Sequence, residues 1–262
     1  MPRKPRLVGG VKGHNQNENS VPRSPACGRE LHIVEKMRKL LPAMLFTIKG
    51  LRNSLSDLSV REVQIHLIPP GAERILDVGC GRGDMGKALK ERGFREIAGI
   101  EVNEEAAQKG KRYYNRFIVG DVEKLDLPFE KEYFSCIIYG DVLEHLVDPV
   151  KVLKKHHQLL KKDGRIICSI PNIRYYRVLK KLVFKGKWEY TDDGIMDRTH
   201  LRFFTLASIR QMFDESGFVI RDLVKRPSGV GWLRGLNILL GNRLIEFLVR
   251  QYIFVAMKKE EN

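Results

Sequence analysis

The chain has 262 residues, of which 43% are hydrophobic, so it is long enough for one substantial α/β domain with additions. Its 47 Lys and Arg against 32 Asp and Glu give a formal net charge of +15, which favours nucleic acid, an anionic membrane or a phosphorylated substrate as a partner. The four cysteines show no C-x-x-C pair and no zinc spacing with histidines, so no metal ligand is expected.

The first residues are basic but lack the apolar stretch of a signal peptide. The longest apolar run, at 40–48, is too short to span a bilayer. We therefore expect a cytoplasmic protein, either soluble or peripheral at the inner membrane surface.

The N-terminal part of the chain predicts two regions. Residues 1–30 are rich in Pro, Gly, Asn and Arg and are interpreted as a disordered basic tail. Residues 31–70 predict a helical extension, interrupted at Pro42. Ser59 with Glu62 three residues later is typical of a capping box, and Pro69-Pro70 ends the helix that follows it.

Strand and helix signals then alternate. Apolar runs typical of strands lie at 74–78, 97–100, 117–119, 134–139 and 165–170. Asn103 is expected to cap one helix between them. Asp148 is expected to cap another, with Pro149 in its first position and an end at Gly164. The apolar face of this second helix is predicted to contain Val150, Leu153, His157 and Leu160. The alternation predicts βαβ units in a doubly wound α/β domain with a parallel sheet.

The pattern changes after the fifth strand. Residues 171–204 are basic and aromatic and are interpreted as a cover segment that follows the fifth strand. Thr205 is expected to cap a helix that ends at Gly217, and the last two strands are predicted at 218–224 and 251–257, separated by an amphipathic insert at 232–249. Residues 71–262 thus form one predicted domain.

A glycine motif follows the first strand. Gly81-x-Gly83-x-x-Gly86 fits a dinucleotide-binding pattern, and Glu101 stands where a ribose-binding acid is expected. However, a pyrophosphate on this loop would meet Asp77 and Asp84, and like charges about 4 Å apart cost a few kcal/mol near a protein surface. An adenosine compound with positive charge and no phosphate avoids this conflict. S-adenosyl-L-methionine is such a compound.

Five segments carry a family resemblance: LDVGCGRGD at 76–84, GIEVN at 99–103, GDVEKLDLPF at 120–129, YGDVLEHL at 139–146 and LKKDGRIICSIPN at 160–172. In this order, each at a predicted strand end, they resemble class I S-adenosylmethionine-dependent methyltransferases of the small-molecule type. The resemblance implies a Rossmann-like seven-stranded sheet, mostly parallel with an antiparallel last strand. It also implies an enzyme that transfers a methyl group.

The same resemblance implies the residues that bind the cofactor. Asp77 would reach the ammonium group, Glu101 the ribose hydroxyls and Asp121 the adenine amino group. The full set implied for the cofactor is Asp77, Gly79, Cys80, Gly81, Glu101, Val102, Asp121, Val122 and Gly140.

The acceptor side is predicted from two further features. The segment after the fourth strand lacks the N-P-P-Y tetrad of nucleic-acid amino methyltransferases and is similar to enzymes that include the O-methyltransferases of ubiquinone biosynthesis. Residues 186–205 resemble methyltransferases of bacterial surface-polysaccharide gene clusters. The expected acceptor is therefore a hydroxyl of a small molecule: a sugar, a lipid-linked glycan or a quinone-like compound. The candidate residues are His200, His145 and Asp141 for catalysis, and Arg174, Tyr175 and Arg177 for substrate binding.

Three other interpretations stay open from sequence. An RNA methyltransferase would use the positive charge to bind its substrate, but the missing tetrad disfavours nucleic acid. A non-catalytic cofactor-binding protein would contact the membrane through the amphipathic segments. A nicotinamide-dependent dehydrogenase would use the glycine motif for a dinucleotide.

Overall fold

The computed structural model describes residues 58–228 and 231–260. The predictions for the tail at 1–30, and for the helical extension up to residue 57, lie outside the described residues. The end of the extension is a helix, α1 (Val60–His66), and the expected capping box is present. The Ser59 hydroxyl accepts from the amide of Glu62, and the Glu62 carboxylate accepts from the amide of Ser59.

Helices and strands alternate as the sequence predicted. In chain order after α1, the elements are β1 (Arg74–Val78), α2 (Asp84–Glu91), β2 (Glu96–Glu101), α3 (Glu104–Gly110), β3 (Arg116–Val119), β4 (Phe134–Gly140), α4 (Pro149–Leu159), β5 (Leu160–Pro171), α5 (Tyr176–Lys185), α6 (Leu206–Glu215), β6 (Phe218–Pro227), α7 (Gly231–Leu239), α8 (Ile245–Leu248) and β7 (Val249–Lys258).

Within these residues the strands form a seven-stranded sheet in the order β3-β2-β1-β4-β5-β7-β6. The pairs formed among β1 to β5 are all parallel, and β7 runs antiparallel to both β5 and β6. The prediction of a mostly parallel sheet with an antiparallel last strand is confirmed. Because β1 pairs with β2 on one side and with β4 on the other, the strand order reverses at β1. In open α/β sheets, ligands bind beside the carboxyl ends of the strands at such a reversal.

The core lies on both faces of the sheet, because successive residues of a strand point to opposite faces. Ile75 packs with Leu89 of α2 in one hydrophobic cluster. Its neighbour Leu76 packs with Leu153 of α4 and Phe213 of α6 in the other. The two clusters explain why β1 is buried along most of its length, and they confirm the doubly wound arrangement.

One predicted boundary is wrong. The helix capped by Asp148 ends at Leu159 rather than at Gly164, and β5 begins at Leu160, which pairs with Phe134 of β4. The buried face of this helix also differs from the prediction, because it contains Val152, Leu153 and His156. His156 is a core residue that hydrogen-bonds to the hydroxyl of Tyr139.

Two predicted segments have local structure of their own. The cover at 171–204 consists of α5 and an irregular stretch that leads to α6, and the insert at 232–249 contains most of α7 and all of α8. Among the described residues, no helix combines the length and hydrophobicity needed to cross a bilayer.

Candidate active site

The carboxyl ends of β1, β2 and β4 bring the predicted cofactor residues together. Asp77 of β1 is in register with Gly99 of β2 and with Ile138 of β4, so these strands end at the same edge of the sheet. Glu101 is the last residue of β2 and Gly140 the last of β4. Asp121 follows β3 by two residues. The sheet order places these positions side by side.

The glycine loop between β1 and α2 fits closely against the segment that follows β4. Gly79 and Gly81 have φ values of +66° and +53°, which favour glycine because a side chain is strained there. A Cβ atom at Gly79 would lie 2.6 Å from Cγ2 of Val142, whereas one at Gly81 would meet open space. The loop therefore presents bare backbone to the cleft beside Asp77.

Asp77 is buried, with 4% of its surface exposed, and its Oδ2 accepts a hydrogen bond of 2.6 Å from the hydroxyl of Tyr114. Burial raises the pKa of Asp77 to about 7, the Tyr114 hydrogen bond opposes this rise, and the charge of Glu101 adds to it. A positive group beside Asp77 would offset the cost of burying its carboxylate.

Glu101 is held by two backbone amides. Its Oε2 accepts from the amide of Gly81 at 2.7 Å, and its Oε1 accepts from the amide of Asn103 at 2.8 Å. Only 8% of the residue is exposed. Each carboxylate oxygen has a second lone pair, so both can still accept a hydroxyl hydrogen from a ligand. This geometry suits the predicted ribose contact.

The predicted adenine residues are arranged more loosely. Asp121 Oδ1 accepts from the amide of Glu123, and its Oδ2 pairs with Lys124 at 2.9 Å. The hydrogen bond from Lys124 lowers the pKa of Asp121. Val122 is buried and Val102 is exposed. The contact between Asp121 and adenine stays a prediction.

A cavity of about 430 Å³ lies at this edge of the sheet. Its lining contains Asp77, Gly79, Cys80, Gly81, Gly140 and Asp141. The lining also includes Asp84, but the exposed carboxylate of Asp84 pairs with Arg61 at 3.0 Å. Asp77 and Asp84 thus both lie at this cavity, and Arg61 pairs with the charge of Asp84.

A second cavity, of about 570 Å³, adjoins the first one, since both are lined by Val60 and Asp141. Asp141 has a φ of +56°, an unusual conformation for a residue with a side chain. Its Oδ1 accepts from the Ser169 hydroxyl at 3.1 Å and from the Gln251 side-chain amide at 2.6 Å. The fold thus holds Asp141 between the two cavities.

Both candidate histidines line this second cavity, and their rings are 4.7 Å apart. Nδ1 of His145 lies 3.2 Å from the carbonyl of Thr199, and Nδ1 of His200 lies 3.1 Å from the carbonyl of Ile195. A carbonyl oxygen can only accept, and the Thr199 hydroxyl, which also lies 3.1 Å from Nδ1 of His145, donates to Asp197. Each neutral ring therefore carries its proton on Nδ1 and leaves a lone pair on Nε2. Burial lowers the pKa of His200, which favours the neutral ring.

The residues of the second cavity that sequence reasoning missed include Glu144, Arg226 and Arg250. Glu144 is adjacent to His145 in the quoted YGDVLEHL segment, and this adjacency was the available signal. Arg226 is the second-last residue of β6 and Arg250 the second residue of β7, and no local pattern connects either of them with the tip of β4.

The three residues predicted to bind the substrate lie in two different places. The guanidinium of Arg174 pairs with Glu246 and lies 4.6 Å from the ring centre of Phe247, which ties it to the insert rather than to the cavity. Tyr175 and Arg177 line a third cavity of about 430 Å³, which shares Gly194, Ile195, Ser228 and Arg250 with the second one.

The fold and this site together define the class of protein. Dinucleotide-binding sheets of the Rossmann type have the strand order 3-2-1-4-5-6, whereas here an antiparallel β7 lies between β5 and β6. The fold is that of the class I S-adenosylmethionine-dependent methyltransferases. A crystal structure of such a methyltransferase from Archaeoglobus fulgidus aligns with a TM-score of 0.55 and 19% identity, covering 80% of this chain and 100% of that chain.

The family described as a methyltransferase domain matches residues 35–223, and the chain belongs to it. A ubiquinone biosynthesis O-methyltransferase from Aeromonas salmonicida is 27% identical over 161 residues, which are 58% of this chain and 65% of that protein. A demethylmenaquinone methyltransferase from Staphylococcus aureus is 27% identical over 170 residues, with coverages of 56% and 68%. The match to the Aeromonas protein thus spans just under two thirds of its length.

S-adenosylmethionine is the cofactor of this family, and the residues at the tips of β1 and β2 fit it. A buried carboxylate at Asp77 suits an ammonium group, and the two-amide setting of Glu101 suits a pair of ribose hydroxyls. The bare backbone at Gly81 leaves room that a side chain would fill.

Proposed function

We propose that the protein transfers a methyl group from S-adenosylmethionine to a hydroxyl oxygen of a small molecule, such as a sugar, a lipid-linked glycan or a quinone-like compound. One observation carries this proposal: the cavity that fits the cofactor and the cavity that contains His145 and His200 meet at Asp141. An acceptor in the second cavity would face a methyl group at the tip of β4.

When bound, S-adenosylmethionine supplies an electrophilic methyl group on a positively charged sulfur. In the transfer, the hydroxyl oxygen forms the new C–O bond, the electrons of the C–S bond stay on sulfur, and the hydroxyl proton leaves. Asp141 can accept a hydrogen bond from the hydroxyl and orient it, because Ser169 and Gln251 fix its carboxylate. The Nε2 lone pairs of His145 and His200 can accept the hydroxyl proton.

The positively charged side chains of the second cavity support an acceptor that carries negative charge. Nη1 of Arg226 is buried and has no hydrogen-bond partner in the described part of the chain, and Arg250 lines the same cavity. A phosphate or carboxylate on the acceptor would satisfy that donor. In this proposal Arg226 and Arg250 would bind the acceptor, a role that the sequence analysis predicted for Arg174, Tyr175 and Arg177. The Aeromonas relative is an O-methyltransferase by name, which supports oxygen as the atom that is methylated.

The experiment is incubation of a cell extract with the full-length protein and methyl-labelled S-adenosylmethionine, followed by mass spectrometry of the lipid, glycan and RNA fractions. We expect label in an anionic small molecule or lipid-linked glycan, as a methyl ether. Glu101→Ala should abolish the labelling by removing the ribose contact, with circular dichroism to confirm that it folds. Label in RNA, or cofactor binding without any transfer, would contradict the proposal.

A further inference from the structure

Glu144 is a buried carboxylate that the methyl transfer described above does not use. It lies in the short turn after β4, and 1% of its surface is exposed. Neither carboxylate oxygen has a hydrogen-bond partner among residues 58–228 and 231–260. An isolated buried carboxylate is strongly unfavourable, so the group requires either a proton or a positive partner. Burial accordingly raises the pKa of Glu144 well above its ordinary value.

Two imidazoles lie next to this carboxylate. One potential ligand atom from each of Glu144, His145 and His200 lies within 4.8 Å of the other two. The Thr199 and Ile195 carbonyls hold the Nδ1 protons of the histidines, so Nε2 is the free atom of each ring. In a histidine that binds a metal through one ring nitrogen, the other ring nitrogen usually donates a hydrogen bond that fixes the orientation of the ring.

We propose that Glu144, His145 and His200 bind a divalent first-row transition-metal cation, such as Co²⁺, Mn²⁺, Fe²⁺ or Zn²⁺. Two imidazoles and one carboxylate suit these ions better than Mg²⁺ or Ca²⁺, which prefer oxygen ligands. Bonds of about 2.1 Å place the ligand atoms of one ion roughly 3–3.5 Å apart, so side-chain rotations of about 1 Å would complete the site.

Three protein ligands leave coordination positions open, and all three residues line the second cavity. The role of the cation in the reaction rests on the proposed function. The cation would bind the acceptor hydroxyl oxygen and lower its pKa, so that the oxygen attacks the methyl group as its proton passes to solvent. The histidines then act as ligands, and Asp141 beside them orients the oxygen.

The experiment measures metal binding without cofactor or acceptor. The full chain, produced without a polyhistidine tag and treated with EDTA, is titrated with Co²⁺ by calorimetry and visible absorption. We expect one equivalent of Co²⁺ to bind to the parent protein. Glu144→Gln and His200→Ala should each weaken Co²⁺ binding by roughly 100-fold, which is the upper end of the loss seen when even a group that supports a metal ligand is removed. The control is His66→Ala. His66 also bonds through Nδ1 to a backbone carbonyl, that of Glu62, but it is exposed and outside the cluster.

Thermal denaturation separates binding from misfolding. Without metal, Glu144→Gln should be at least as stable as the parent protein, because it removes an unpaired buried carboxylate. Co²⁺ should then raise the Tm of the parent protein and of His66→Ala but not that of Glu144→Gln. Equal titrations of the parent protein and Glu144→Gln would overturn the proposal, as would full methyl transfer by metal-free protein. Co²⁺ binding that Glu144→Gln removes would support the site even if no methyl transfer is found.

Discussion

At the scale of single residues, the cofactor site depends on a carboxylate that is only half ionised at neutral pH. Burial raises the pKa of Asp77 from 3.8 to about 7. The ionised form is the one that attracts an ammonium group, so affinity for S-adenosylmethionine should rise with pH through this range. Between pH 5.5 and pH 7 we expect an increase of about 15-fold, from the change in the ionised fraction. Calorimetric titrations at the two pH values measure it.

Asp77→Asn tests the same carboxylate without titration. The amide still accepts a hydrogen bond from Tyr114 but carries no charge, so we expect roughly 10- to 100-fold weaker cofactor binding with no pH dependence between pH 5.5 and pH 7. Asp126→Asn is the matched control, because the exposed Asp126 pairs with Lys155 and does not line the first cavity. An affinity that stays pH-dependent in Asp77→Asn would assign the titration to another group.

The same substitution has an opposite effect on the ligand-free fold. A carboxyl group whose pKa is raised by folding binds more protons in the native state, so its contribution to stability is lost as pH rises from about 4 to about 7. Asp77→Asn should therefore unfold at a higher temperature than the parent protein at pH 8, and this difference should shrink at pH 4. Differential scanning calorimetry at both pH values measures the difference.

The strand tips were predictable from the sequence because the acids and glycines that form them are adjacent in the chain to the strands. Asp77 and Glu101 stand at the ends of β1 and β2, as expected. The second cavity was harder to predict. Its residues come from the turn after β4, the cover and the β6–β7 pair, so only the folded sheet brings Arg226 near His145.

At the scale of elements, the sequence identified strands and most helix starts but misplaced one helix end. Gly164 is a typical helix stop, yet the helix after Asp148 ends five residues earlier, because Leu160 is needed as a buried partner of Phe134 in the sheet. Pairing between strands distant in sequence overrides the local glycine signal. The cap residues Asn103, Asp148 and Thr205 involve neighbouring amides alone, and all three predictions are confirmed.

Helix α2 contacts the ring of Tyr114, and through this ring its packing affects the cofactor site. A Cβ atom at Gly86 would lie 2.5 Å from this ring, whose hydroxyl donates to Asp77. Gly86→Ala should destabilise the fold by about 1–3 kcal/mol through overpacking. It should also weaken cofactor binding by displacing the phenol. Urea denaturation and calorimetry measure the two effects.

Gly235→Ala is the control for this substitution. Gly235 lies within α7, and a Cβ atom there meets no other atom within 4 Å. Alanine should leave cofactor affinity unchanged and stabilise the helix by about 0.5–1 kcal/mol, since glycine is the weaker helix former. Equal stability of the two variants would contradict a close contact between Gly86 and the Tyr114 ring.

At the scale of the whole molecule, the charge of +15 exceeds what a small cofactor and acceptor require. The Trp232–Val249 insert adds exposed apolar surface to this charge: Ile238 and Leu239, at the end of α7, are exposed at 69% and 84%. Positive charge combined with exposed aliphatic side chains is typical of proteins that bind an anionic membrane surface. We therefore propose peripheral membrane contact through α7, which would bring the enzyme to a lipid-linked acceptor.

Flotation with lipid vesicles tests this contact. At low salt the full-length protein should float with vesicles rich in phosphatidylglycerol, and a much smaller fraction should float with phosphatidylcholine vesicles. About 0.5 M NaCl should release it from the anionic vesicles, because charges are then screened within a few ångströms. The double variant Ile238→Ser, Leu239→Ser should bind vesicles more weakly. Each serine removes aliphatic surface that the membrane would bury, and burial of such surface contributes about 25 cal/mol per Å² to binding. Val147→Ser, a change at a residue 61% exposed but outside α7, should bind like the parent protein. Flotation that is equal for both kinds of vesicle would refute an electrostatic membrane contact, and equal loss in Val147→Ser would refute the role of α7.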